Sequence, residues 1–339
     1  MSRPAVLAID GGGSKIDAVL LDRDGAIAGS ARVEPSDTDG QRAGDLAAIG
    51  LAVEAACRDA RIDTDDLPVA RLGVFCLAGA DLPADDRRIL RSLEPHRWTT
   101  DTILRNDTFA VLRAGTNRTW GVGVVCGFGT NCSAVAPDGR TYRFPALGWI
   151  AGDWGGGADI GEAAIWHAVR SEDGRGERTS LASAVPAHFD LRRPRQVMEA
   201  MYFGRLSVSR IAELPPLVFE AAADGDAVAR SIVDRQADEV VSMATAAIRR
   251  LRMTELDVHV VLGGGIFRNT FEPFLERVDD GIHRSAAAAS VTVLGAPPVV
   301  GAALLGLDRL RASRTAKDRL RTTLTKDPVG NRLDGKRRR

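Results

Sequence analysis

The sequence predicts an α/β protein made of two related domains with a cleft between them. The main observation is a pattern that occurs twice: strand, glycine turn with a hydroxyl residue, strand, Asp-Gly turn, strand. After each copy, apolar runs of strand length alternate with segments of helical periodicity. The length of 339 residues supports the same conclusion, because it exceeds one ordinary core and suggests domains of roughly 100 to 200 residues.

The first copy begins near the N-terminus. The apolar run 6–10 ends in Gly11-Gly12-Gly13-Ser14, and two more runs follow at 18–21 and 26–33, separated by Asp24-Gly25. A Rossmann fingerprint or a Walker A loop leads into a helix, whereas this glycine turn leads at once into another short apolar run. A β-hairpin is therefore predicted.

The second copy lies further along the chain. The run 122–126 ends in Gly127-Phe128-Gly129-Thr130, and strands are predicted at 133–136 and 142–144, on either side of Asp138-Gly139. Two such turns facing each other would surround a polyphosphate with backbone N–H groups. A single glycine turn is often only a tight turn, so the prediction depends on the duplication.

The remaining segments give the layout of both halves. The spacing of apolar residues predicts helices at 41–61, 83–93, 107–114, 158–169, 195–203, 217–223, 227–251 and from 299, with strands at 71–77, 98–104, 258–262 and 291–294. We therefore expect domains at 1–115 and 116–311. The basic segment 312–339 is expected to be a mobile tail.

Composition argues against several classes of protein. The 45 basic and 45 acidic residues balance, which argues against a nucleic-acid or membrane-surface protein. The uncharged stretch 285–307 is long enough to span a bilayer, but Gly295, Pro297 and Pro298 interrupt it. The four cysteines form neither a Cys-x-x-Cys pair nor a disulfide pattern, and the first strand begins too early for a signal peptide. A reduced, cytoplasmic protein is expected.

Three carboxylates are candidates for chemistry, each with a structural alternative. Asp10, at the end of the first strand, is suited to hold Mg²⁺, or else it initiates the turn. Asp107, between a strand and a helix, is suited to accept a hydroxyl proton, or else it caps the helix. Asp153 lies in the glycine-rich stretch 148–157, which indicates either close approach to a ligand or a flexible loop.

The order of these motifs resembles that of a known superfamily. The sugar kinase/Hsp70/actin superfamily has motifs similar to Asp10-Gly11-Gly12-Gly13-Ser14, Asn106-Asp107, 127–132, 148–156 and Leu262-Gly263-Gly264-Gly265. More narrowly, the chain resembles the BadF/BadG/BcrA/BcrD ATPase family, in particular its N-acetylglucosamine kinase members. The resemblance implies two actin-like ATPase domains of ribonuclease H-like fold. It also implies transfer of the γ-phosphate of ATP to an amino sugar, with Mg²⁺.

The resemblance further implies roles for individual residues. The implied ATP contacts are Gly12, Gly13, Ser14 and Lys15 in the first turn, Gly129, Thr130 and Asn131 in the second, and Gly264 and Gly265 with 301–303 at the adenosine. The implied sugar contacts are Asp37, Asn106, Asp107, Gly148, Trp149 and Asp153. Asp107 would be the catalytic base, and Asp10 would hold the metal ion. The expected partners are ATP and a small sugar, and a homodimer is left open.

The sugar side departs from the family pattern. Asp37 stands where related kinases place Asn, and Leu147 stands where they place an aromatic residue. The family segment Gly-Asp-Glu-Gly-Ser becomes Gly152-Asp153-Trp154-Gly155-Gly156. N-acetylglucosamine is the expected substrate, but a carboxylate at position 37 would favour the cationic amine of glucosamine, and another hexose derivative stays open.

Two other classes match parts of the pattern. Activator ATPases of the BadF type hold an iron–sulfur cluster on cysteines at a subunit interface, and Cys126 and Cys132 are the nearest pair in this sequence. Small core residues are the simpler interpretation of that pair. A repressor of the ROK type would need a helix-turn-helix before the first strand and a cysteine-rich zinc segment. We find neither pattern in the sequence, so this class is not expected.

Overall fold

A mixed five-stranded sheet is the centre of the N-terminal part of the chain. The computed structural model describes residues 3–34, 46–268, 271–326 and 329. Its first sheet contains β1 (Val6–Gly11), β2 (Ile16–Leu21), β3 (Ile27–Val33), β4 (Ala70–Leu77) and β5 (Thr99–Arg105), in the order β3-β2-β1-β4-β5. β1 pairs antiparallel with β2 and parallel with β4, and β4 pairs parallel with β5. The three parallel strands therefore end at the same edge of the sheet.

The second sheet repeats this strand order. It contains β6 (Gly121–Cys126), β7 (Thr130–Val135), β8 (Thr141–Arg143), β9 (His259–Gly263) and β10 (Ser290–Val293), in the order β10-β9-β6-β7-β8. Starting from the β8 edge, this order is that of the first sheet. The Asp-Gly turns match as well, since the Asp22 amide donates to the Ala26 carbonyl at 2.8 Å and the Ala136 amide to the Arg140 carbonyl at 2.8 Å. The predicted duplication is confirmed.

Eleven α-helices are assigned in the part of the chain that the structure describes. They are α1 (Leu46–Ala60), α2 (Pro83–Leu93), α3 (Asp107–Gly115), α4 (Gly156–Asp173), α5 (Leu181–His188), α6 (Pro194–Tyr202), α7 (Pro215–Ala223), α8 (Ala227–Arg250), α9 (Glu272–His283), α10 (Val299–Arg309) and α11 (Arg314–Lys326). α5, α9 and α11 lie outside the predicted helices, and residues 41–45 of the first predicted helix lie outside the described residues. In the described part, we find no helix with both the length and the apolar character needed to cross a membrane.

The chain forms two compact units. Unit 1 comprises Met1–Gly123, Ser133–Pro145 and Thr292–Arg339, and unit 2 comprises Val124–Cys132 and Ala146–Val291. The predicted α/β class with two domains is confirmed. The units are discontinuous in sequence, whereas the domains expected at 1–115 and 116–311 are continuous.

In unit 1, helices cover both faces of the first sheet. Leu7 and Ile9 face a core that includes residues of α1 and α2, and Val6 and Ala8 face a core that includes residues of α3, α10 and α11. Burial on both faces explains why β1 is an apolar run with little alternation. The same packing holds β1, β4 and β5 in place, and several predicted site residues lie at the carboxyl ends of β1 and β5.

The segment after Ala312 differs from the expected mobile tail. Residues 314–326 form α11, in which Leu320 and Leu324 are fully buried in the core of unit 1. These leucines are four residues apart, so they lie on one face of a helix whose other positions are largely polar or charged. The basic composition concealed this apolar face. Residues 327, 328 and 330–339 lie outside the described residues.

Candidate active site

The carboxyl ends of β1 and β5 bring several predicted residues to one edge of the unit 1 sheet. Asp10 is the residue before the last in β1, and Asn106 and Asp107 directly follow β5. The negative charge of Asp107 is one of the causes that raise the pKa of Asp10, so the two carboxylates are close enough to interact. Open α/β sheets commonly bind ligands outside this edge.

Asp10 is a nearly buried carboxylate at the base of the first glycine turn. Only 7% of its surface is exposed, and burial raises its pKa to about 8. The charges of Asp17 and Asp107 act in the same direction, whereas Lys15 and Arg32 lower the pKa. Asp10 is therefore a carboxylate that lacks solvation and would be stabilised by a cation.

Lys15, predicted to contact ATP, forms a salt bridge with Asp17 in the structure. Asp17 is fully buried and accepts hydrogen bonds from Lys15 at 2.9 Å and from Arg32 at 2.6 and 2.8 Å. Two cations around one carboxylate give this cluster a net positive charge, which suits a neighbouring anion. Contact between Lys15 and ATP stays a prediction.

The surroundings of Asp10 fit a magnesium ion. Burial penalises the charged carboxylate, and a divalent cation beside it would offset that penalty. Among the residues that the structure describes, no group of three or more His, Cys, Asp or Glu is placed to hold a metal ion. Asp10 would therefore hold the ion together with phosphate oxygens and water, which are usual ligands of Mg²⁺.

Asn106 is the N-cap of α3, and Asp107 is the first residue of that helix. The Asn106 Oδ1 accepts from the Thr108 amide at 3.1 Å and from the Thr108 hydroxyl at 2.6 Å, while its Nδ2 donates to Asp81 at 2.9 Å. Asn106 is fully buried, so the structure gives it a role in orienting the start of α3. Its predicted sugar contact stays a prediction.

Asp107 is a half-buried carboxylate with a raised pKa, and its catalytic role stays a prediction. Burial raises its pKa from 3.8 to about 6, although the backbone N–H groups of Thr108 and Asp107 lower it. The alternative role as N-cap is wrong, because Asn106 occupies that position. A carboxylate with this pKa is ionised at neutral pH and is a stronger proton acceptor than an exposed aspartate.

The glycines of the motif turns differ in what a side chain would meet. An added Cβ would reach open space at Gly12, Gly129 and Gly265. At Gly264 it would lie 2.1 Å from the Cys126 carbonyl oxygen, and the φ of +106° also favours glycine. Gly12, Gly129 and Gly265 thus leave room for a ligand, whereas Gly264 is required by packing. In the first turn, Gly13 is half-buried and Ser14 is exposed.

The second turn is closed by a hydrogen bond from the Gly127 amide to the Gly129 carbonyl at 2.9 Å. Thr130 and Asn131 are each 8% exposed. The Thr130 hydroxyl lies 3.0 Å from the Cys126 sulfur, and Asn131 Oδ1 accepts from the Cys132 amide at 2.7 Å. These contacts position both residues at the start of β7, and their contact with ATP stays a prediction.

The glycine-rich stretch 148–157 has a defined backbone. It begins with a 3-10 turn, Gly148–Ala151, and a positive φ occurs at Gly148, Gly152, Gly155 and Gly156. Such values suit glycine and explain the composition of the stretch. Trp149, a predicted sugar contact, is 87% exposed, as expected of a side chain that is available to a ligand.

Asp153 is a buried carboxylate within this stretch. It is 8% exposed, and its Oδ2 has no hydrogen-bond partner among the described residues. Burial raises its pKa, and hydrogen bonds with the backbone of Leu147 and Gly148 lower it. An unpartnered buried carboxylate oxygen is costly, and the hydroxyl of a ligand would satisfy it. This geometry supports the predicted sugar contact.

The comparisons with known proteins agree with this geometry. The sequence profile of the BadF/BadG/BcrA/BcrD ATPase family matches residues 7–306. The chain belongs to this family. It is 26% identical over 324 residues to the N-acetyl-D-glucosamine kinase of Dictyostelium discoideum, covering 91% of this chain and 99% of that protein.

Two further proteins resemble this BadF/BadG/BcrA/BcrD family member. The N-acetylmuramic acid/N-acetylglucosamine kinase of Clostridium acetobutylicum is 30% identical over 192 residues, covering 57% of this chain and 63% of that protein. A crystal structure from Chromobacterium violaceum, provisionally described as an N-acetylglucosamine kinase, matches with a TM-score of 0.69 and 24% identity. It covers 91% of this chain and 100% of that chain, so the fold is shared over nearly the whole length.

The cysteines of this BadF/BadG/BcrA/BcrD family member are buried thiols. Burial raises the pKa of Cys126 to about 12, and it raises the pKa of Cys132 as well. Both side chains are 0% exposed, and the Cys126 sulfur already contacts the Thr130 hydroxyl and the Gln236 amide. The geometry favours the interpretation of both as core residues.

Two predictions for ligand contacts remain open. Residues 301–303 are buried in α10, and a Cβ on Gly301 would collide with the backbone of Ala110 in α3. They therefore belong to the core of unit 1, which does not support the expected role beside adenosine, and that role stays a prediction. Asp37 lies outside the described residues, so its contact with a sugar stays a prediction.

Three polar residues that support the candidate residues of each unit were not predicted from the sequence. Asp17 binds Lys15, Asp81 binds Asn106, and Gln236 binds the backbone of unit 2. Asp17 and Gln236 each interrupt an apolar pattern, within β2 and along α8 respectively. A polar residue at a core position requires a partner, and that is the signal that could have identified both.

Proposed function

We propose that the protein is an ATP-dependent amino-sugar kinase with N-acetylglucosamine as its substrate. The observation that carries this proposal is the carboxylate of Asp107. Asn106 is the N-cap of α3, so Asp107 does not cap the helix, and burial raises the pKa of Asp107 to about 6. Such a group is suited to take a proton from a sugar hydroxyl at neutral pH. Family membership and the two kinase relatives, each named for N-acetylglucosamine, support the same reaction.

In this reaction, Asp107 accepts the proton of the sugar hydroxyl while the hydroxyl oxygen attacks the γ-phosphorus of ATP. The bond between the γ-phosphorus and the bridging oxygen to the β-phosphorus breaks, and ADP leaves. When bound, Mg²⁺ neutralises charge on the phosphate oxygens, and Asp10 would hold it in unit 1. Lys15 and Arg32 add positive charge beside the first glycine turn.

Within unit 2, the second glycine turn and Asp153 carry groups suited to bind ATP and a sugar. The open space beside Gly129 lets phosphate oxygens approach the backbone amides of the turn. The buried Oδ2 of Asp153 would accept a hydrogen bond from a sugar hydroxyl, which orients the sugar. Open space beside Gly265 would leave room for the nucleoside part of ATP.

Other amino sugars are the second candidates, each because of a specific observation. The resemblance to N-acetylglucosamine kinases places Asp37 at the position of their Asn, and a carboxylate there would favour the amine of glucosamine. The Clostridium acetobutylicum relative is named for N-acetylmuramic acid as well as N-acetylglucosamine. An activator ATPase of the BadF type would hydrolyse ATP without any sugar.

A coupled ADP-release assay tests the proposal. The substrates are N-acetylglucosamine, glucosamine, glucose, N-acetylmannosamine and N-acetylmuramic acid, beside a reaction without sugar. We expect ADP release that depends on sugar and is fastest with N-acetylglucosamine. Equal release without sugar would instead support an activator ATPase, and no release with any sugar would refute the kinase assignment. Asp107→Asn, which leaves the Asn106 cap in place, is the control for chemistry at the site.

A further inference from the structure

Gln236 is a buried amide on the apolar face of α8. It is 0% exposed, and its neighbours Ile232, Val233 and Val240 on the same helix are buried as well. Burying an amide costs free energy unless its hydrogen bonds are made inside the protein. An apolar residue would fill this position without that cost. The presence of glutamine therefore indicates that the hydrogen bonds of its amide have a role.

Both ends of the Gln236 amide reach the candidate site in unit 2. Its Oε1 accepts from the Gly156 amide at 2.7 Å, and its Nε2 donates to the Cys126 sulfur at 3.6 Å. Gly155 provides the space for this contact, because a Cβ there would lie 2.7 Å from Oε1 and its φ is +125°. Gln236 therefore satisfies the N–H of the first residue of α4, whose N-cap, Gly155, has no side chain.

The next two amides of α4 hold the second glycine turn. The Gly157 amide donates to the Gly127 carbonyl at 2.8 Å, and the Ala158 amide donates to the Phe128 carbonyl at 2.9 Å. Helix N-termini often bind anions through such amides. Here the amides of residues 156–158 bind protein groups, so the first turn of α4 supports the glycine turn and does not offer these amides to a phosphate.

Two further contacts connect Gln236 and the start of α4 with the second glycine turn. A Cβ on Gly156 would lie 2.4 Å from the Gly129 carbonyl carbon, so the two backbones touch directly. The Cys126 sulfur, which accepts from Gln236, lies 3.0 Å from the Thr130 hydroxyl at the other end of the turn. Gln236 thus contacts one group that supports the turn from α4 and one group in the strand that enters it.

We propose that Gln236 is a positioning residue that holds the second glycine turn in the shape required to bind the phosphates of ATP. It acts through Gly156 and Cys126 and does not touch the nucleotide. This inference rests on the proposed function for the role of the turn, and it is independent of which sugar is phosphorylated. Removal of the amide would leave the Gly156 N–H buried without a partner and would loosen the turn.

Titration calorimetry with Mg²⁺ and ATP on the full chain tests the proposal in two variants. Gln236→Met conserves the volume but removes the strong acceptor, and we expect the Kd for ATP to rise about tenfold. Gln236→Glu keeps an acceptor for Gly156, and burial favours the neutral, protonated form of its carboxyl group, so we expect its Kd to stay within about threefold of the original protein.

Thr245→Val is the matched control on the same helix. Thr245 is also buried and polar, but its hydroxyl donates to the Val241 carbonyl of α8 itself at 2.8 Å. We expect this variant to lose some stability, measured as Tm, without any change in ATP affinity. A purely structural role for Gln236 would make both positions behave alike.

Unchanged ATP affinity in a folded Gln236→Met variant would overturn the proposal, and so would an equal loss of affinity in Thr245→Val. Hydrogen exchange on the original protein gives a test that does not require any variant to fold. We expect the amides of Gly156, Gly157 and Ala158 to exchange slowly without nucleotide, and rapid exchange would also overturn the proposal. If the original protein binds no ATP, the proposed function fails, whereas slow exchange at these amides would still support the contact with Gln236.

Discussion

Asn106 caps α3 through its contact with Thr108, and this leaves the carboxylate of the next residue, Asp107, out of the capping role. The bond from Asn106 to Asp81 at 2.9 Å fixes the orientation of the cap. The two adjacent residues thus have different roles. Asn106 is buried and orients the helix, whereas Asp107 keeps a half-buried carboxylate at the edge of the sheet.

Asp107→Asn should lower turnover by about 10² or more while ATP affinity is retained. The substitution removes the basic carboxylate but keeps its shape, and the cap at Asn106 is untouched. Steady-state kinetics and calorimetry measure the two quantities separately. Asp101→Asn, which changes an exposed carboxylate on β5, should leave both unchanged. Normal turnover in Asp107→Asn would show that another group takes the proton.

At saturating Mg²⁺ and ATP, which would keep Asp10 ionised, the value of kcat/KM for the sugar should fall as the pH drops through about 6. Burial raises the pKa of Asp107 to about 6, and the group acts as a base only when it is deprotonated. Activity is therefore retained above that pH and lost below it, by about tenfold per pH unit. The profile is measured from about pH 5 to about pH 8 with thermal denaturation at each pH as the control for unfolding. A flat profile would contradict the assignment.

Gly129→Val should weaken ATP binding without unfolding the protein. The added side chain meets no protein atom at its Cβ, so it would occupy the space beside the turn amides that phosphate requires. We expect a Kd for ATP at least about tenfold higher, with sugar binding in the absence of ATP unchanged. Gly295→Val, at another glycine with open space around it, is the control. Equal ATP affinity in both variants would remove the phosphate role of the turn.

The sequence was most informative where local chemistry requires a particular residue. Gly25 and Gly139 have φ values of +80° and +87°, so both Asp-Gly turns could be read directly from the chain. β1 and β2 are buried on both faces and therefore appear as apolar runs of strand length. These features were enough to predict the duplicated sheets.

The sequence was least informative where a role depends on a distant partner. Gln236 meets Gly156 across 80 residues, and no local pattern around either residue indicates that contact. Asn and Asp are comparable N-caps, so the sequence leaves open which of residues 106 and 107 caps α3. The fold decides it through the contact of Asn106 with Asp81.

Asp37→Asn should shift the preference toward N-acetylglucosamine relative to glucosamine. A carboxylate only accepts hydrogen bonds, so it can pair with an ammonium group but has no donor for an amide carbonyl. The ratio of the two kcat/KM values should change by roughly tenfold, or about 1.4 kcal/mol of differential binding. Both substrates are measured on both proteins. An unchanged ratio would place residue 37 outside the sugar pocket.

Leu320→Ala should destabilise unit 1 by about 2–5 kcal/mol, as expected for a leucine in a packed core. Leu320 is fully buried in α11 and belongs to the same core cluster as Val6 of β1 and Leu307 of α10. Denaturant unfolding measures the loss. Arg314→Ala is the control on the same helix, because 92% of that side chain is exposed and its removal should change stability by no more than about 0.5 kcal/mol. Equal stability of the two variants would mean that α11 is not packed, and that the C-terminal segment behaves as the mobile tail that its basic composition predicts.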